Sequence, residues 1–251
     1  MNYYIITGAS RGLGEAIAEN LISKDNHLFC ISRRSNEDLI TRAGLKDCRI
    51  DFFEYDFNFL EEIDMLAETI FERINFAKAD SVCLINNAGV VKPVKPIGKF
   101  PSFEIISNMN VNLIAPMVLV SEFLRRTEEA SFERKIVNIS SGAAKKPYYG
   151  WGAYCSSKAA MNMFTGCVGL EQKNSTNPVK IFAFDPGIMD TDMQGDIRQA
   201  DPEDFEQIER FIKFKENGDL KSPDFVAKKL LDLIHNNGTE TGMIYDIKEL
   251  Q

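Results

Sequence analysis

Tyr154 and Lys158 are separated by Cys155, Ser156 and Ser157, and Ser141 lies thirteen residues before the tyrosine. If the chain is helical from Trp151 onward, the phenol and the ammonium stand one turn apart on the same face. A free phenol titrates near ~10, but a cation ~4 Å away at an effective dielectric of ~20 favours the phenolate by ~4 kcal/mol, roughly three pK units before burial opposes it. The spacing therefore predicts a tyrosine able to give or take a proton near neutral pH, with a serine hydroxyl beside it. A tyrosine and a lysine sharing a helix face is also a common accident, so the pair needs company.

That company starts at the N-terminus, where Tyr3-Tyr4-Ile5-Ile6 runs into Thr7-Gly8-Ala9-Ser10-Arg11-Gly12-Leu13-Gly14, and Ile17, Leu21 and Ile22 then recur at helical spacing. Strand, glycine turn and helix is the order that brings backbone amides and a positive helix end to a pyrophosphate. Gly8, Gly12 and Gly14, with Ser10, Arg11 and Leu13 between them, are candidate dinucleotide contacts. Gly8-Ala9-Ser10-Arg11-Gly12 also fits the Gly-x-Ser-x-Gly elbow of a serine hydrolase. That reading needs a histidine base and leaves Gly14 unexplained; His27 and His235 both fall where structural histidines are expected.

These motifs require a scaffold that gathers them. Strands are expected near 3–7, 27–32, 48–56, 82–86, 135–140, 179–185 and 242–246, and helices near 12–24, 60–76, 102–126, 151–171 and 222–235. The alternation predicts an α/β fold, a doubly wound Rossmann parallel sheet of about seven strands with helices on both faces. Strands such as Val82-Cys83-Leu84-Ile85 are apolar throughout, as strands covered on both faces are. Ligands of such sheets bind at the carboxyl ends of the strands, where the glycine turn, Asn86-Asn87-Ala88-Gly89, Ser140-Ser141 and Asp185-Pro186-Gly187 all fall.

The 251 residues contain no linker or low-complexity run and fit a single domain. With no charged leader, no apolar run near membrane-spanning length and five cysteines without metal-ligand spacing, the chain is expected in the cytoplasm, with no membrane partner, no metal and reduced thiols. Small buried hydrophobe is the expected role for most of the cysteines. The net charge of −8 argues against a nucleic-acid groove.

Taken together, the glycine turn, Asn-Asn-Ala-Gly, the serine, Tyr-x-x-x-Lys and Pro-Gly-x-x-x-Thr, in this order, resemble the short-chain dehydrogenase/reductase family over nearly the whole chain. Within the family, residues 138–155 and 190–194 are similar to the sepiapterin reductase branch. Residues 208–211 and 242–249 are similar to the bacterial benzil reductase branch, the (S)-benzoin-forming type.

The resemblance implies catalytic roles for Asn112, Ser141, Tyr154 and Lys158. Tyr154 would protonate the nascent alkoxide, Ser141 would bind the carbonyl oxygen, and Lys158 would lower the phenol pKa and hold the nicotinamide ribose. Asn112 would organise a water-linked proton path, with Asn110 a competitor for that place and a helix kink the plainer explanation. It also implies that Asp56 lies near the adenine, that Asn87, Ala88 and Gly89 border the adenosine ribose, and that Pro186, Gly187, Ile188 and Thr191 flank the nicotinamide. A homodimer or homotetramer through the helices at 102–126 and 151–171 is implied as well.

Cofactor choice is read at the end of the second strand. Ser32 stands where an acid would bind the ribose hydroxyls of NAD, while Arg33 and Arg11 could pinch a 2′-phosphate, so NADPH is expected; Arg34 reads as a solvated loop charge. Pro147, Tyr148, Tyr149, Trp151, Met189 and Met193 would form an aromatic mouth for a flat ketone, although aromatics at such spacings are equally often core. Residues 192–220 are expected to be a lid, with Asp201 capping and Pro202 opening a helix whose apolar stripe is Phe205, Ile208, Phe211 and Ile212. Asp246 aligns with the carboxylate that anchors the pterin in the sepiapterin branch. The expected function is an NADPH-dependent reductase of vicinal diketones or aromatic ketones, its partner a small carbonyl compound. A pterin ketone reductase and a non-catalytic NADPH sensor are the alternatives.

Overall fold

Seven short strands, most of them largely apolar, form one sheet, consisting of β1 (Asn2–Thr7), β2 (Asn26–Ser32), β3 (Arg49–Glu54), β4 (Ser81–Asn86), β5 (Glu133–Ile139), β6 (Lys180–Asp185) and β7 (Ile244–Asp246). All pairings are parallel, in the order β3-β2-β1-β4-β5-β6-β7. The structure is a computed structural model and describes residues 1–236 and 238–250. The chain winds outward from β1 through β2 to β3, then returns to place β4 on the other side of β1. The crevice at that reversal, beyond the carboxyl ends of β1 and β4, is where such sheets bind ligands.

Helices cover both faces. On one, α1 (Gly12–Asn20) packs against α9 (Pro223–His235), with Ile17, Val226 and Leu230 fully buried. On the other, α3 (Ile63–Glu72) packs against α5 (Ala115–Arg126), and Ile70, Leu119 and Phe123 meet strands β1 and β4 in one cluster. Burial of a side chain such as Phe123 stabilises the fold by about 1.5–3 kcal/mol, and cutting it back to alanine costs ~3–5 kcal/mol because a cavity remains.

The structure corrects the expected elements at several points. A helix, α2 (Glu37–Gly44), forms where the sequence reading placed none; Asn36 caps it, accepting from the Leu39 amide at 2.9 Å. The helix over 102–126 is not regular. It runs as α4 (Ser102–Met109), a π-helical segment (Asn110–Ile114) and α5. The composite Ser102–Arg126, with mean hydropathy 1.4, is long and apolar enough to cross a membrane, contrary to the expectation that no such run exists. Here its apolar face lies on the sheet and its buried Asn108 and Asn112 are hydrogen-bonded, which is what a core helix does with such a composition.

The segment expected to be a lid also differs. Residues 192–220 contain α7 (Asp192–Arg198) and α8 (Ile208–Glu216), but Asp201 and Pro202 do not open a helix. The Asp204 and Phe205 amides both donate to the Asp201 carbonyl, making a turn, and the helix starts at Ile208. Phe205, Ile208, Phe211 and Ile212 nonetheless share one apolar cluster with Trp151 and Tyr154. All five cysteines are free; Cys30, Cys48 and Cys83 are buried, whereas Cys167 is exposed and is not a core residue.

Candidate active site

Gly8 and Gly12 adopt φ of 69° and 59°, in the left-handed region that favours glycine. Gly14 is required for a different reason: a Cβ there would lie 2.2 Å from the Gly8 carbonyl oxygen. The turn is braced from behind. The Thr7 hydroxyl accepts from the Asn87 and Ala88 amides at 2.9 Å, and the Asn87 side chain donates to the Thr7 and Gly8 carbonyls at 2.9 and 3.2 Å. Thr7 is a residue the sequence reading missed, since a threonine ending a strand carries no signal of its own. Arg11, at the N-cap of α1, makes no side-chain cap bond and leaves the first amides of the helix to a ligand.

The glycine turn forms one wall of a cleft of about 1340 Å³. Ser10, Arg11, Leu13, Arg33, Asp56, Asn87, Ala88 and Gly89 line it, as do Pro186, Gly187, Ile188 and Thr191. Arg33 and Arg34 are exposed at its rim, and the buried Ser32 hydroxyl donates to the Arg34 carbonyl at 2.8 Å, fixing the end of β2. Arg11 is engaged elsewhere, ion-paired with Asp192 of α7 at 2.7 Å. Asp56 accepts from the Asn58 amide and side chain at 3.0 and 2.9 Å. The Thr191 hydroxyl does not cap α7, and its methyl lies over Gly12.

Ser141, Tyr154 and Lys158 line the same cleft. Tyr154 and Lys158, 7 % and 5 % exposed, stand one turn apart on α6 (Gly152–Lys173). The Lys158 ammonium donates to the Ile139 carbonyl at 2.8 Å. Asn112 sits in the π-helical segment, where the wider backbone turns its amide towards Val90, accepting from the Val90 amide and donating to the Val90 carbonyl, both at 2.8 Å. Asn112 also donates to the Ser157 hydroxyl at 3.3 Å. A Cβ on Gly89 would lie 3.3 Å from the Asn112 oxygen and 3.7 Å from the Lys158 nitrogen, so both polar groups converge on that glycine. Asn110 instead donates to the Asn58 carbonyl at 3.5 Å.

Burial outweighs the nearby cation at Tyr154. Burial drives the Tyr154 phenol up to about 12, although the Ser141 hydroxyl pulls it down, and the Asp185 carboxylate adds to the rise. Lys158 does not offset this, because burial lowers its own pKa to about 8 and its hydrogen bond goes to Ile139. The opposing effect of burial, foreseen but not sized from spacing alone, is the larger one here.

Tyr148, Trp151, Met189 and Met193 complete the cleft on its apolar side. Trp151 is also core: its indole is 4 % exposed, stacked on Phe205 with centroids 4.8 Å apart and set edge-on to Phe211 at 5.4 Å. Gln194, Arg210 and Phe214 line the cleft too and were not foreseen, since only the packing of residues 192–220 brings them there. Asp246 does not line it; it lies behind, ion-paired with Lys145 at 2.5 Å. Tyr149 is exposed and Pro147 lies outside the lining. Ser10 has no histidine near it, as His27 pairs with Asp51 at 2.7 Å and His235 with the Tyr4 hydroxyl at 3.2 Å, so the hydrolase elbow lacks its base. Among the described residues no cluster could hold a metal ion.

A glycine turn facing a helix N-terminus fits a dinucleotide, and a buried tyrosine and lysine with a half-buried serine in the same cleft fit carbonyl chemistry at its far end. The sequence model of the short chain dehydrogenases matches residues 2–202, and the chain belongs to that family of nicotinamide-dependent oxidoreductases. It is 44 % identical to the benzil reductase ((S)-benzoin forming) of Bacillus cereus, over 99 % of this chain and 100 % of that protein. It is 30 % identical to the sepiapterin reductase of Bos taurus, over 96 % and 92 %. Among solved structures, the KRED1-Pglu enzyme superposes with a TM-score of 0.82 at 30 % identity, covering 97 % of this chain and all of that one.

Proposed function

We propose that the chain is a single-domain, NADPH-dependent reductase of vicinal diketones or aromatic ketones, of the benzil-to-benzoin kind, with residues 192–220 closing over the substrate. The observation that carries this reading is the meeting of Ser141 and Tyr154 with the apolar wall of Tyr148, Trp151, Met189 and Met193 in the cleft that holds the glycine turn. The nicotinamide cofactor supplies a hydride to the carbonyl carbon. Ser141 donates to the carbonyl oxygen, Tyr154 gives it the phenolic proton, and Lys158 holds the ribose. Asn112, hydrogen-bonded to Ser157, opens a route by which that phenolate regains a proton. Arg33, free of any ion pair among the described residues, reads the 2′-phosphate, where a guanidinium gives charge-assisted bonds.

A homodimer or homotetramer goes with this reading, supported by the exposed apolar side chains Phe103 and Ile106 on α4 and Met163 and Leu170 on α6. A pterin ketone is the second substrate class, favoured by the similarity to sepiapterin reductase but disfavoured by Asp246, whose carboxylate is already paired. Absorbance of NADPH followed across a panel with benzil, simple aromatic ketones and a pterin side-chain ketone tests the reading. Turnover of benzil supports it, turnover of the pterin alone moves the assignment, and a flat trace across the panel leaves an NADPH-binding sensor.

A further inference from the structure

Asp185 and Asp246 are direct partners in the register of β6 and β7, so two carboxylates emerge side by side at the end of the sheet. Both side chains are nearly buried, at 4 % and 12 % exposure. Like charges placed opposite each other on neighbouring strands destabilise the pair, and burial sharpens the repulsion. One cation meets both: the Lys145 ammonium lies 2.5 Å from Asp246 and 3.4 Å from Asp185. Each carboxylate keeps its other oxygen on a backbone amide, Asp185 on Gly187 at 3.0 Å and Asp246 on Lys248 at 2.9 Å, so their positions are fixed.

Asp185 reaches towards the proton-transfer groups. A Cβ on Gly142, the residue after Ser141, would lie 3.6 Å from the Asp185 oxygen that faces Lys145, and Asp185 lines the cleft with Tyr154. The charged and titratable groups around it are Lys145 after the turn that follows Ser141, Tyr154 and Lys158 on α6, Asp246 on β7, and Lys248 just beyond it. Its charge opposes formation of a phenolate at Tyr154. Lys145 is the cation in contact with that charge.

We propose that Lys145 is a positioning residue of the reaction, bridging Asp185 and Asp246 so that the carboxylate behind Ser141 is neutralised and Tyr154 can release its proton. The inference rests on the proposed role of Tyr154. The same bridge keeps Asp246 off any substrate, which suits a diketone better than a ring that must be anchored through N–H groups.

The test uses the reverse reaction, oxidation of benzoin with NADP+, in which the carbinol hydride goes to the cofactor and the hydroxyl proton to the Tyr154 phenolate. Its rate rises with pH as the phenolate forms. In Lys145→Met, Asp185 is uncompensated, so the rising limb of kcat/KM moves to higher pH and the rate on the limb falls about tenfold per unit moved, as fixed by the proton equilibrium. Lys145→Arg restores the wild-type limb. Asp185→Asn moves the limb to lower pH, and it decides the matter should Lys145→Met not fold. A limb that stays in place in folded Lys145→Met, or in Asp185→Asn, overturns the role of Lys145. Retention of full activity by Tyr154→Phe would instead overturn the reading of the site on which it rests.

Discussion

Lys158 donates its hydrogen bond to the Ile139 carbonyl at 2.8 Å, one strand end away from the tyrosine it accompanies, and burial lowers its pKa from 10.5 to about 8. Between those values the folded chain binds fewer protons at this group than the unfolded chain, so its contribution to stability rises with pH through that window and its penalty is fully present below about 8. The whole difference amounts to roughly 3 kcal/mol. Denaturant titrations of wild type and Lys158→Met should therefore show the wild type gaining on the variant between neutral pH and pH ~10. A constant gap would mean that the lysine is not desolvated. The variant should also lose both turnover and cofactor affinity.

Removing the phenol hydroxyl leaves the aromatic contacts of Tyr154 with Trp151 intact. Tyr154→Phe should fold and bind NADPH as wild type does while losing ~10²–10⁴ in kcat, the range for a lost general acid. Steady-state rates with benzil alongside cofactor titration check both halves.

Arg33 and Arg11 should behave differently towards the two cofactors. Arg33→Ala should weaken NADPH by ~1.5–3 kcal/mol, roughly 10- to 150-fold, and scarcely touch NADH. Arg11 is held by Asp192 in an exposed ion pair worth ~0–1 kcal/mol, so Asp192→Asn should free it and tighten NADPH by no more than about fivefold. Titration of both cofactors against both variants reads this directly, and equal losses of NADPH and NADH in Arg33→Ala would remove that arginine from 2′-phosphate recognition.

Asp246→Ala should leave benzil reduction within a few-fold of wild type, because the carboxylate lies outside the cleft and Lys145 remains beside Asp185. A fall in kcat/KM beyond about tenfold (~1.4 kcal/mol) in a folded variant would make the acid a substrate contact.

The sheet was legible because its strands carry apolar runs and end in turn residues, and every expected strand forms within a few residues of its place. The cleft was legible where motifs sit at strand ends, from Gly8 to Thr191. What escaped depends on distant packing. Asn112 could be named, but not the π-helical turn that aims it; Arg210 and Phe214 reach the cleft only because α8 folds over it. The balance between burial and charge at Tyr154 and Lys158 is likewise invisible in spacing, since it depends on how much water the neighbouring elements exclude. The false helix start at Asp201-Pro202 shows that good capping chemistry also makes a good turn.

Trp151 is the only tryptophan of the chain, and its ring faces Phe205 and Phe211 in the segment 192–220. Any displacement of residues 192–220 must therefore change the surroundings of the sole indole chromophore. The protein carries a built-in optical gauge of any such displacement: its emission spectrum records how residues 192–220 pack on Trp151 while NADPH or a diketone is added, without a label and without turnover.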